Sequence, residues 1–289
     1  MSELSKRTIF GALYVACIVG GILFSPYSIN GLLFIVCLLA VDEFHRLVKS
    51  SSTLRIFACL ATMILCVMIM CLAWKTPNGV EYKTLGVGLI LAYLPIIVTT
   101  LLDEIWNHSD HPLRSWGNFL ISQVMIAAPL ATLSFLYFLD KWLVLALFVL
   151  IWVNDTGAYV VGSLTAKRPQ GNHKMTPHIS PKKSWEGLLG GIVFTFAGAL
   201  ILYKCGWFDA IVVGKWGILI TLVFAFLVST FGTMGDLMES LFKRSIGVKD
   251  SGIFLPGHGG VLDRFDSILL ASPVVTAFCW ICYFAAPLL

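Results

Sequence analysis

Residues 142–163 read WLVLALFVLIWVNDTGAYVVGS. The run is apolar apart from Asn154, Asp155 and a few small polar residues, and it is long enough to cross the ~30 Å hydrocarbon layer of a bilayer as a helix. It lacks strand-like alternation. Backbone groups in lipid must satisfy one another, so a helix is the predicted state. An aspartate inside such a run marks either a functional position or a paired structural polar group.

Outward from this stretch, apolar runs of similar length recur. Spans are predicted over 8–24, 29–47, 54–73, 84–102, 118–138, 186–204, 215–238 and 260–287, which with 142–163 makes nine. Composition agrees: 58% of residues are hydrophobic and 12% charged, against about half and a quarter in soluble domains. The predicted fold is all-α, a polytopic membrane protein of about nine transmembrane helices. It forms a single membrane domain over 1–289, with N-terminal helices over 1–140 and a C-terminal catalytic half over 141–289. Lys6 and Arg7 precede an apolar run from Ile9 to Phe24 with no small-x-small cleavage site, so an uncleaved first helix is expected. The eight cysteines lie mostly inside apolar runs, where they pack as small polarizable residues and imply no disulfide framework.

Net charge is +4, too small to indicate a nucleic-acid partner. Its placement carries more information. With the N-terminus inside, Lys75, Lys83, Lys141, Lys204 and Lys215 fall outside and the other fifteen of the 20 Lys and Arg fall inside. That asymmetry predicts N-in, C-out. It also places the polar loops 164–185 and 239–263 on the cytoplasmic side.

Three constellations in the C-terminal half could carry chemistry. The first runs from Ser240-Leu-Phe-Lys243-Arg244 through Lys249-Asp250-Ser-Gly252 to Pro256-Gly257-His258-Gly259-Gly260-Val-Leu-Asp263-Arg264-Phe-Asp266, with Asp236 and Glu239 just upstream. Asp263 and Asp266 are spaced to share one face of a starting helix. Together with Asp236 they offer hard oxygen ligands of the kind Mg²⁺ prefers. The Gly257-His258-Gly259-Gly260 turn would bare backbone amides to phosphate ahead of that helix. The second constellation is Asn154-Asp155-Thr-Gly157-Ala-Tyr159. The third, Ser180-Pro-Lys182-Lys183-Ser184-Trp-Glu-Gly187, is a stiff basic loop that ends in a helix cap; it reads equally as a phosphate-binding loop or an ordinary basic cytoplasmic loop. Gly187 and Gly191 form a small-xxx-small pair suited to close helix packing or to a dimer face. No Walker loop, dinucleotide fingerprint or Gly-x-Ser-x-Gly elbow occurs in the chain.

The run from Ser240 to Asp266 resembles the signature of the bacterial-type phosphatidate cytidylyltransferase (CDP-diacylglycerol synthase) family: S-x-x-K-R, four residues, K-D-x-G, then P-G-H-G-G-x-x-D-R-x-D, with every fixed position filled. The D-T-G-A-Y and S-P-K-K-S-W-E-G segments look like the family's as well. The N-terminal half resembles it only in being hydrophobic and multi-spanning.

The resemblance implies CTP and phosphatidic acid as substrates, CDP-diacylglycerol and pyrophosphate as products, and Mg²⁺ as cofactor. It implies an acidic metal centre on Asp236, Asp263 and Asp266 with a second, monovalent cation such as K⁺. Ser240 and Lys243 map onto polar neighbours of that centre. It further implies a homodimer in the inner (cytoplasmic) membrane, with the active site facing the cytoplasm. By charge, Lys243, Arg244, Lys249 and Arg264 are assigned to the phosphates, with Lys182, Lys183 and Ser184 as further contacts for the triphosphate. His258 is either a donor to pyrophosphate or a structural member of the turn, and Asp155 stands beside the centre. The alternatives are another CTP-dependent membrane lipid transferase, a polyprenol kinase or, from a different class, a transporter.

Overall fold

Apolar runs bounded by capping residues become helices throughout the computed structural model, which describes residues 3–73, 83–107, 111–212, 214–252 and 259–285. His258 lies outside the described residues. In order the helices are α1 (Glu3–Phe24), α2 (Pro26–Leu47), α3 (Ser52–Ala73), α4 (Lys83–Asn107), α5 (Pro112–Ile121), α6 (Ala128–Leu139), α7 (Lys141–Ala166), α8 (Trp185–Lys204), α9 (Gly217–Ser245) and α10 (Leu262–Ala285). A π-helical turn, Ser122–Ala127, joins α5 to α6, so that Pro112–Leu139 is one span. Counted so, eight described helices are long and apolar enough to cross a membrane, and the apolar part of α1, Thr8–Phe24, makes a shorter ninth. The opening stretch 142–163 falls wholly within α7.

Side chains set the helix boundaries. Ser25 and Ser28 form a capping box ahead of α2, with Pro26 at its first position. The Asp140 carboxylate accepts from Trp142 N at 2.8 Å and starts α7. At the far end of α9, Gly247 takes φ +75°. Its N–H donates to Arg244 O while Val248 N–H donates to Lys243 O, the two bonds of a Schellman stop. Lys49 closes α2 with the same pair of bonds but at φ 55°, without the freedom of a glycine.

The chain forms two compact units: Met1–Phe138 with Asp250–Phe265, and Leu139–Lys249 with the chain from Asp266 onward. In the first unit the π turn organises a buried polar network. Ala128 N–H reaches back five residues to Gln123 O. Ser122 donates to Phe119 O at 2.7 Å and lies 3.1 Å from His45 Nε2, while His45 Nδ1 lies 2.9 Å from Ser50 Oγ. Gln123 Nε2 donates to Ala58 O at 3.2 Å.

In the second unit α8 lies close against α7. Lipid gives no hydrophobic drive for helices to associate, so small residues and polar bonds carry the contact. A Cβ on Gly187 would stand 3.0 Å from Ala158 O, and one on Gly157 would stand 2.6 Å from the Phe194 side chain; Gly190 and Gly191 meet Val161 and Asn154 in the same way. The opposite face of α8 leaves Leu189 and Val193 more than half exposed, as a lipid-facing surface requires. Asn154 is 2% exposed; its Oδ1 accepts from Ser229, and its Nδ2 donates to Thr233 Oγ1 at 3.4 Å.

Two features depart from the sequence-based picture. Residues 174–184 form an antiparallel hairpin, β1 (Lys174–Thr176) and β2 (Ser180–Ser184), with an irregular register between Lys174↔Ser184 and Thr176↔Ser180. The loop expected to begin at residue 239 is helical through Ser245, because Glu239 and Lys243 pair across one turn at 2.6 Å and no helix breaker occurs before Gly247.

Candidate active site

The second unit brings together most of the acidic and basic residues singled out above. Gly235 lets α9 approach the backbone of α10: a Cβ there would lie 2.5 Å from Asp266 O and 3.1 Å from Ser267 O. This contact sets Asp236 on α9 beside Asp266 on α10. The acidic neighbours of Asp266 are Asp236, Glu239 and Asp155, and its Oδ1 accepts from Ser267 N at 2.6 Å. Ser240, one turn beyond Asp236, donates to Asp236 Oδ1 at 3.3 Å and so orients that carboxylate.

The hairpin delivers the cation. Lys183 on β2 extends its ammonium to Asp236 Oδ2 at 2.8 Å and to Thr233 O at 3.1 Å. Asp155, Tyr159, Met175, Lys182, Lys183, Ser184, Thr233 and Asp236 line a single cleft. Lys182 is exposed, whereas Lys183 is turned inward. Ser184 caps α8, its hydroxyl accepting from Gly187 N at 3.1 Å. Glu186 anchors the hairpin's entry: its two oxygens accept from His173 N at 3.0 and 3.1 Å, and Oε1 stands 2.6 Å from His173 Nδ1. Lys243 is paired with buried Glu239. Arg244 and Lys249 are exposed, and Arg244 Nη1 donates to Val248 O at 3.1 Å.

The first unit holds the other part of the signature. Asp263 stands in the first turn of α10, three residues before Asp266, as the spacing predicts. Its Oδ2 accepts from Ser251 N at 2.9 Å and from Gly260 N at 2.8 Å. Gly260 N–H, expected to face phosphate, is thus directed at Asp263. Gly259 takes φ +82°, a conformation that suits glycine. The main chain of Arg264 accepts from the Tyr14 hydroxyl at 3.2 Å.

Sequence reasoning missed Glu43 on α2. Oε1 accepts from Leu262 N at 3.1 Å and from the Ser251 hydroxyl, and Oε2 accepts from Val261 N at 2.8 Å. A signal existed, because Asp42-Glu43 is an acid pair within an apolar helix, the pattern that singled out Asp155.

Among the described residues, no three of His, Cys, Asp and Glu cluster tightly enough to hold a metal as they stand. The donor chemistry of the second unit nevertheless fits a divalent cation. Asp236, Asp266 and Asp155 offer only hard carboxylate oxygens, and the Lys183 ammonium bridges a carboxylate and a carbonyl oxygen as a cation would.

Residues 5–282 match the Cytidylyltransferase family. The phosphatidate cytidylyltransferase of Staphylococcus haemolyticus is 31% identical over 249 residues, which are 84% of this chain and 86% of the relative. Those of Staphylococcus saprophyticus and Staphylococcus aureus are each 42% identical over 132 residues, and the chain spans 46% of the length of each.

Proposed function

The chain belongs to the cytidylyltransferase family, and from that premise we propose that it condenses CTP with phosphatidic acid to give CDP-diacylglycerol and pyrophosphate. The observation that carries this reading is Lys183, held between Asp236 and the Thr233 carbonyl in a cleft that Lys182, Ser184 and Asp155 also line. A nucleotide phosphate entering the cleft competes with Asp236 for the ammonium. Once Lys183 turns to phosphate, the Asp236 carboxylate becomes available to a cation. Substrate and metal therefore favour each other's binding through one side chain.

In the reaction, an oxygen of the lipid phosphate monoester attacks the α-phosphorus of CTP. The α–β anhydride bond breaks and pyrophosphate leaves. The monoester is already anionic near neutral pH, so the protein supplies positioning and charge neutralisation rather than a strong base. Asp236 and Asp266 would hold Mg²⁺, which neutralises charge on the phosphates when bound; Asp263 completes the acidic set by resemblance, with K⁺ as the accompanying monovalent ion. Ser240 orients Asp236, and Asp155 lines the cleft beside it. Lys182 and Lys183 receive the triphosphate, and Ser184 fixes the hairpin that carries them. Arg244, Lys249 and Arg264 add positive charge along the signature, with Lys243 held by Glu239.

The protein resides in the inner membrane of a bacterium, N-in and C-out, with this cleft facing the cytoplasm, where CTP is found. A homodimer would use a face other than the Gly187–Gly191 stripe, which is occupied by α7 within the chain.

The purified full chain in detergent, given labelled CTP, phosphatidic acid and Mg²⁺, should form a liponucleotide and release pyrophosphate. Release of CDP instead would identify a kinase. Asp236→Asn should lower turnover by at least about 100-fold, and EDTA should abolish it. A chain that makes no liponucleotide with Mg²⁺ present, or that ignores the chelator, would refute the proposal.

A further inference from the structure

We propose that Glu43 is a positioning residue for the start of α10: its carboxylate reaches from α2 to tie Ser251 to Val261 and Leu262, and so sets the first turn of α10, which carries Asp263 and Arg264. The inference rests on the reading above that Arg264 adds positive charge for the nucleotide phosphates.

Three donors, from Ser251 and from the start of α10, converge on this one carboxylate. The Ser251 hydroxyl donates to Oε1, and Leu262 N at 3.1 Å and Val261 N at 2.8 Å donate from the helix start. Asp263 closes the same junction from the other side, accepting from Ser251 N and Gly260 N at 2.9 and 2.8 Å. The first amides of α10 have no partners inside their own helix. Here Glu43 satisfies two of them, and a charge-assisted bond to a carboxylate is stronger than one to a neutral acceptor.

The glycines independently indicate the same role. A Cβ on Gly252 would stand 2.9 Å from Glu43 Oε2, and a Cβ on Gly260 would collide with Glu43 Oε1 and the Ser251 hydroxyl. Both φ angles lie outside the left-handed region, so backbone conformation does not demand glycine at either position. Space for the Glu43 carboxylate does. Two glycines of the signature are thus explained by an acid on a helix more than 200 residues earlier in sequence.

The test uses the full chain in detergent. In Glu43→Ala, hydrogen exchange at Val261 and Leu262 without substrate should accelerate at least about tenfold, since their acceptor is gone. The KM for CTP should rise at least tenfold, with the KM for phosphatidic acid changed less than threefold. Gly252→Ala should mimic this in the native background and add nothing to Glu43→Ala, where the colliding carboxylate is absent. If Glu43→Ala does not fold, Glu43→Gln is measured instead; it replaces one acceptor oxygen with a donor and should accelerate exchange in the same direction.

Unchanged exchange at 261–262 in a folded variant overturns the tie. An equal rise in both KM values overturns its role in nucleotide binding, as does an additive effect of Gly252→Ala. Should the wild-type chain form no liponucleotide, the functional proposal fails, while the exchange measurement still decides whether Glu43 holds the junction.

Discussion

Gly191→Ala tests the contact between α7 and α8. A Cβ at this position would lie 2.5 Å from Asn154 Oδ1 and 3.1 Å from Asn154 O. The carboxamide has no slack to yield: Oδ1 accepts from Ser229, Nδ2 donates to Thr233, and Thr195 and Ser229 are fully buried beside it. Either the amide rotates away and loses buried partners, at about 1–3 kcal/mol, or the helices part, and overpacking costs about the same. Helix propensity returns up to ~1 kcal/mol when alanine replaces glycine. With that return subtracted, the net expectation is a destabilisation of up to about 2 kcal/mol. Gly198→Ala is the control, because its Cβ would meet only the tip of Leu150 at 3.2 Å and Val153 at 3.5 Å; it should fall within ~0.5 kcal/mol of wild type. Reversible unfolding in mixed micelles with SDS reads both. Asn154→Ala should abolish most of the Gly191→Ala penalty, since the two side chains compete for one space. A Gly191→Ala chain as stable as Gly198→Ala, in which the propensity gain is the same, or an equal penalty in both Asn154 backgrounds, would refute the packing argument.

Three further outcomes follow from the site and the helix ends. Lys183→Ala should lower kcat/KM for CTP by about 10²–10³-fold, and Lys182→Ala, on the exposed side of β2, by less than about tenfold; initial rates with labelled CTP distinguish them. Ser184→Ala removes the cap on Gly187 N and should cost about 1 kcal/mol in the same unfolding assay. Lys49→Gly relieves a left-handed residue at φ 55° and should stabilise the chain by about 1 kcal/mol, whereas Lys49→Val should destabilise it.

The spans were legible because lipid turns length and hydropathy into a direct signal. Residues 142–163 lie within Lys141–Ala166, and 186–204 became Trp185–Lys204. The ends were less legible, because a polar helical extension such as Glu239–Ser245 looks like a loop until its i,i+4 pair and its stop at Gly247 are recognised. The hairpin was hidden by its brevity: strands of 3 and 5 residues containing Pro181 and three lysines show no usable alternation. Asp236, Asp155 and Lys183 stood out as charges in the right segments, but the sequence did not say that Lys183 would sit on Asp236. Glu43 was lost because its contacts are more than 200 residues away, and no local pattern reports a bond of that reach.

The π turn at Ser122–Ala127 holds one residue more than its backbone bonds require. Each residue rotates an α-helix by 100°, so the surplus acts as a phase adjuster between α5 and α6. Deleting one residue there could restore regular α bonding and leave both halves facing as they do now. The same deletion two turns later, inside α6, would swing every following side chain to a different face. A one-residue deletion therefore changes the facing of the span least at this turn, which is where Ser122 and Gln123 meet the buried polar network of the first unit.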